Sequence, residues 1–237
     1  MTNLAPEGQT PDVTVTAHIV LPRPTISMTL RQRINMGIPH LLSAAQFSRA
    51  TKQLETLHAG QEFGHFWDEI LAQATATVFT AVAGVEAYAN ELFADRASTF
   101  PNVRADVLKP LWDAYERKPL LEKYELALVL RESAAIDRKG QIYQDAELLI
   151  RLRNALVHFK PEWTDERVKH EHLSIELGKR VIASPFTPAA PLFPMAWAGH
   201  SCTSWAVKCA VALILEFQRL AGLAGRIEPF LDRLENH

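Results

Sequence analysis

Arg153, Asn154 and His158 are the residues whose types and spacing could do chemistry, set in Arg151-Leu152-Arg153-Asn154-Ala155-Leu156-Val157-His158-Phe159-Lys160-Pro161. An imidazole, with an intrinsic pKa of about 6.5, gives and takes protons near neutral pH. A guanidinium stays charged and offers a planar fork of donors that matches the oxygens of a phosphate. Asn154 stands one helical turn before His158, where it could orient the imidazole or donate to an anion. The set is suited to proton transfer beside a stabilised oxyanion. No metal or other cofactor is expected.

These groups need a helix to hold them. Leu149, Leu152, Leu156 and Phe159 recur at spacings of three and four, the mark of one helix face turned to a core. At about 100° per residue, with that face at zero, Arg153 falls roughly 100° round, Asn154 about 200° and His158 about 240°. The polar groups therefore avoid the core. Ile150 and Val157, at about 160° and 140°, form a second apolar strip among them, which predicts a partner on that side. Pro161 disfavours helical geometry at Lys160, so the helix should end near Phe159 with His158 in its last turn.

Arg153, the polar Asn154 directly after it, and His158 after four intervening residues resemble the signature of the HEPN superfamily (higher eukaryotes and prokaryotes nucleotide-binding). The phrasing Leu-Arg-Asn-Ala-Leu-Val-His-Phe-Lys-Pro-Glu extends the likeness. Val85-Glu86-Ala87-Tyr88-Ala89-Asn90-Glu91-Leu92 resembles the helix that packs on the Arg–His helix in that family. The resemblance, which covers roughly residues 60–180, implies an all-α bundle that dimerises and brings two motifs into one cleft. The dimer would meet through the Ile150/Val157 face.

Many family members are metal-independent ribonucleases of toxin–antitoxin or phage-defence (abortive-infection) systems. The implied function is an endoribonuclease acting on RNA, single-stranded or tRNA-like, with an antitoxin protein as a further partner. The ribose 2′-OH would attack the adjacent phosphate, leaving 2′,3′-cyclic phosphate and 5′-OH ends. The catalytic set would be Arg153, Asn154, His158 and Glu86, with Glu86 holding Arg153 in place. The other reading of Glu86 is a residue at the solvated edge of its helix, and Glu91 beside it reads as exposed. Other family members are non-catalytic, so the alternative is a dimeric helical interaction or ligand-binding module.

Composition sets the limits. With 237 residues the chain can bury the core of one large domain. A net charge of −2 gives no global basic field and argues against a protein that coats nucleic acid. No helix shows the clustered basic face of a DNA-binding regulator. Locally, residues 148–160 carry Arg151, Arg153 and Lys160 and no acid. Cys202 and Cys209, seven apart, lack metal-ligand spacing and read as core thiols of a reducing compartment. The polar N-terminus shows no secretory leader, and the uncharged stretch Ile70 to Val85 is too short for a bilayer. A cytoplasmic location is expected, with no membrane partner.

The expected fold is mainly α, an up-and-down helical bundle with a short N-terminal β or extended arm. Residues 1–35 form the arm: 1–11 read as mobile, and alternation over Val13–Leu21 and Ile26–Leu30 predicts two short strands broken by Pro22-Arg23-Pro24. Such an isolated pair is marginal in water and should lie on the bundle or a second subunit. Residues 36–237 form the single helical domain. Predicted helices cover about 38–58, 62–97, 103–116, 120–133, 142–159, 203–221 and 227–234. The second carries a core stripe from Phe63 and Trp67 to Leu92, and its alanines and Gly84 let neighbours approach closely. Lys169-His170-Glu171-His172 reads as a solvated face rather than a metal site, because His at i and i+2 point apart on a helix. Pro185, Pro188, Pro191 and Pro194 fall every third residue. They fit one ridge of a polyproline II helix for a proline-recognising partner, or a stiff crossover at 184–199, which the interleaved Phe186, Leu192 and Phe193 favour.

Overall fold

The computed structural model describes the backbone of residues 14–19, 26–30, 33–163 and 168–235, and side chains over 33–163 and 170–235. The stretch read as mobile (1–11) and the Pro22–Pro24 break lie outside the described residues. Strand β1 (Thr14–Ile19) pairs antiparallel with β2 (Ile26–Leu30), placing Ala17 opposite Met28 and His18 opposite Ser27. The seat of this pair on the rest of the chain also lies outside them.

The remainder is a helical bundle. It opens with the long helices α1 (Gly37–Leu57) and α2 (Phe66–Ala94); a single turn, α3 (Arg96–Thr99), follows α2. Then come α4 (Ala105–Tyr115), α5 (Leu120–Leu130), α6 (Gln141–Val157) and α7 (Val168–Gly178). The chain continues through α8 (His200–Ala221) and α9 (Leu231–Glu235).

Helix α2 is the centre and packs against α1, α5, α6 and α8. Ile70, Ala74, Val78, Ala81, Val85, Tyr88 and Leu92 are buried along it, so the three-and-four spacing becomes one continuous core stripe. By length and composition it is also the one helix among the described residues that could cross a membrane; here α1, α5, α6 and α8 pack on its buried stripe, while Leu71 and Phe79 are exposed. Phe63, expected on this stripe, is instead mostly exposed against Trp67, because the helix begins only at Phe66.

Small residues set the α1–α2 distance. A Cβ on Gly84 would lie 2.8 Å from Leu41 Cγ and 3.0 Å from the Gly37 carbonyl oxygen. The start of α1 has no local side-chain cap. Instead a Glu91 carboxylate oxygen accepts the backbone N–H groups of Met36 and Gly37, each at 2.7 Å. Glu91 is thus not a merely exposed acid: an anion satisfies two donors that a helix start always leaves open. Four residues on, Asp95 is paired with both Arg33 and Arg226.

The proline stretch does not form a polyproline II ridge. It runs through hydrogen-bonded turns, Thr187 N–H to Ser184 O at 3.1 Å and Ala190 N–H to Thr187 O at 3.0 Å. A polyproline II helix has no such internal bonds. Pro185, Pro188 and Pro191 face solvent, while Phe193, Ala196 and Trp197 enter the core. The two cysteines are buried and unpaired, and burial pushes the Cys202 thiol up to about 12.

Candidate functional site

Helix α6 begins after the turn at Asp137–Gly140 and buries Ala146, Leu148, Leu149 and Leu152, which fixes its rotation. Arg153 then lies half-buried at the edge of the core, and Asn154 and His158 are exposed. The helix stops at Val157; His158 is the capping residue, its N–H bonded to Asn154 O at 2.9 Å. Its imidazole makes no hydrogen bond, ion pair or ring contact with a described residue, so its nitrogens are open to solvent.

Phe159 does not continue the core stripe. Beyond the helix end it is 45% exposed, stacked on His170 at 5.3 Å and edge-on to Phe193 at 6.2 Å. His170 itself corrects the reading of residues 169–172 as a solvated face. It shares a helix face with Leu173 and Leu177 and is buried with them, its Nδ1 3.6 Å from a Glu162 carboxylate oxygen. Glu171 and His172 are exposed.

Glu86 of α2 reaches towards Arg153, with Oε2 to Nη2 at 3.9 Å. Its nearer cation is Lys123 of α5, with Nζ to Oε1 at 3.4 Å. Lys123 also donates to Asn90 Oδ1 at 3.0 Å and stands 5.7 Å from the Trp112 ring centre. Glu86 and Asn90, one turn apart on α2, therefore act on the same ammonium. Lys123 is only 2% exposed whereas Glu86 is 41% exposed. A charge so deeply placed requires a carboxylate and polar neighbours, since an unpaired one costs several kcal/mol. Glu86 is thus shared between Lys123 and Arg153. The Arg153 Nε is buried with no hydrogen-bond partner.

Sequence reasoning missed Lys123, although the signal is present. Leu120, Lys123, Tyr124 and Ala127 fall on one face of α5, and a lysine inside such a stripe announces a buried cation. The structure brings Glu86, Arg153, Asn90 and Lys123 together. Asn154 and His158 stand at the C-terminal end of α6, and the side chain of neither makes a hydrogen bond or ion pair to that cluster.

The Ile150/Val157 strip is divided. Val157 is half-exposed, whereas Ile150 lines a cleft of about 640 Å³ between α5 and α6, with Leu121, Leu126, Val129 and Tyr143. Burial, and after it the nearby Glu125, pushes the Tyr143 phenol up. Arg151, at the cleft's edge, pairs with Glu176 of α7 at 2.7 Å, and its hydrogen bond holds that carboxyl below the usual range. Comparison of the chain with protein-family models, with curated proteins and with solved structures gave no match.

Proposed function

We propose that this chain is a metal-independent endoribonuclease of toxin–antitoxin or phage-defence type, working as a homodimer on RNA. The observation that supports it is the open imidazole of His158 at the end of the helix whose Arg153 is tied, through Glu86, to a buried lysine. A freely accessible acid–base group and a guanidinium fixed on the same rigid element are the two things the chemistry asks of the protein. The substrate brings its own nucleophile in the ribose 2′-OH.

The step balances without any co-reactant. The 2′ oxygen bonds to phosphorus, the bond from phosphorus to O5′ breaks, and a cyclic phosphate is left. One imidazole takes the 2′ proton; a second, from the other subunit's copy of the motif, gives a proton to O5′. Arg153 neutralises charge building on the non-bridging oxygens. In this reading Asn154, exposed one turn from His158, donates to the same phosphate.

The second reading is a non-catalytic, dimeric helical module. The shared Glu86 favours it, because a carboxylate beside Arg153 competes with a phosphate for the guanidinium. One incubation separates the two. Purified protein in EDTA with tRNA or a short single-stranded RNA should yield 2′,3′-cyclic phosphate ends, and His158→Ala should yield none. Equal cleavage by parent and variant, or none by the parent, refutes the assignment.

A further inference from the structure

Of the five tryptophans, Trp67, Trp197 and Trp205 are buried and Trp112 is half-buried, but Trp163 is 79% exposed. Tryptophan is highly buried on average, and an exposed indole offers a flat face on which a nucleobase can stack. Trp163 follows His158 by five residues, on irregular chain just past the end of α6. That length of chain spans at most about 18 Å, so the indole lies within a few nucleotides of the imidazole. Lys160, between the two, is exposed, as are His158 and Asn154. An exposed lysine three residues before an exposed aromatic face suits one occupant: single-stranded nucleic acid, which offers a phosphate to the first and a base to the second.

We propose that Trp163 is the base-stacking platform of this site, holding an unpaired nucleobase of the RNA while Lys160 meets the neighbouring phosphate. This rests on the ribonuclease reading and adds to it a residue outside the Arg–His motif that would require the RNA to be unpaired next to the cut. A base in a duplex has no free face to offer, so paired RNA would be excluded by stacking alone.

The test uses the full chain carrying His158→Ala, so that RNA is bound without turnover, with a short adenosine-rich RNA, single-stranded or annealed to its complement. Binding should quench tryptophan emission, and Trp163→Ala should remove that quenching. It should also weaken binding roughly 5- to 150-fold, the range set by loss of one stacked base. Trp163→Phe should keep most of the affinity, and the duplex should bind no better to the parent than to Trp163→Ala. Size-exclusion chromatography runs alongside. Unchanged affinity in Trp163→Ala overturns the platform and leaves the ribonuclease reading standing. Lost binding together with a lost dimer assigns Trp163 to a subunit contact and overturns it too. No RNA binding by any variant, with no cleavage by the parent, overturns both readings.

Discussion

Removing Glu86 should destabilise the fold through Lys123, and the size of the effect can be worked out. Stripping one partner from a fully buried ion pair costs about 3–5 kcal/mol, while an exposed pair is worth about 0–1 kcal/mol. Here the cation is 2% exposed and the anion 41%, at 3.4 Å. Water can replace part of what Glu86 supplies, and Asn90 keeps its own bond to the ammonium. Glu86→Ala should therefore cost about 2 kcal/mol, which for a chain of this size lowers the melting temperature by roughly 4–8 °C. Lys123→Met removes the buried charge and keeps an apolar stem against Trp112, so it should be near neutral. Glu86→Ala added to Lys123→Met should then cost almost nothing. Urea unfolding followed by circular dichroism, carried round this double-mutant cycle, measures the coupling. The same cost for Glu86→Ala in both backgrounds would refute the reasoning, because it would mean that Glu86 acts independently of the lysine.

Gly84→Ala sets a gain in helix propensity of about 1 kcal/mol against overpacking of about 1–3 kcal/mol on Leu41 and the Gly37 carbonyl. It should lower the melting temperature by a few degrees, and a rise would show that α1 and α2 can part freely. Glu55, whose carboxylate accepts the His200 N–H at 2.7 Å, has its pKa raised by burial, with that hydrogen bond opposing. An acid raised in the folded state holds its proton there longer, so its contribution to stability is full below its ordinary value of 4.5 and fades as pH rises through the folded value. Glu55→Gln should flatten that decline in urea midpoints, and parallel pH profiles for parent and variant would count against it.

Where a residue's role follows from spacing along one helix, the sequence carries it openly. The stripes of α2 and α6 need only three-and-four periodicity, and the bundle of long helices follows from them. The same rule would have revealed Lys123, since its position on the α5 stripe is as legible as that of Tyr124. His170 also sits in register with Leu173 and Leu177, but the charged residues beside it in sequence mask that register. Glu91 is different in kind. Its carboxylate serves a helix start 54 residues earlier, which depends on how α1 crosses α2, and no local pattern encodes a crossing. The prolines fail for a related reason: a period of three is shared by a polyproline ridge and by successive turns, and only the burial of Phe193 and Trp197 selects between them. The meeting of Glu86 with Arg153 lies between these cases, expected as a pair and found as one carboxylate divided between two cations.

The pairing of Asp95 with both Arg33 and Arg226 has a topological consequence. One carboxylate gathers the segment leading into α1 and the segment leaving α8, so two points almost two hundred residues apart in the chain lie side by side. The order in which the helices are strung is then separable from the way they pack. A circular permutant that joins the chain beyond α9, which packs against α1, to the segment leading into α1 by a polar linker, and opens new ends in the exposed Asp137–Gly140 turn, would keep every helix of the bundle in place. It would also move the free ends to the turn that leads into α6, the helix bearing Arg153 and Asn154.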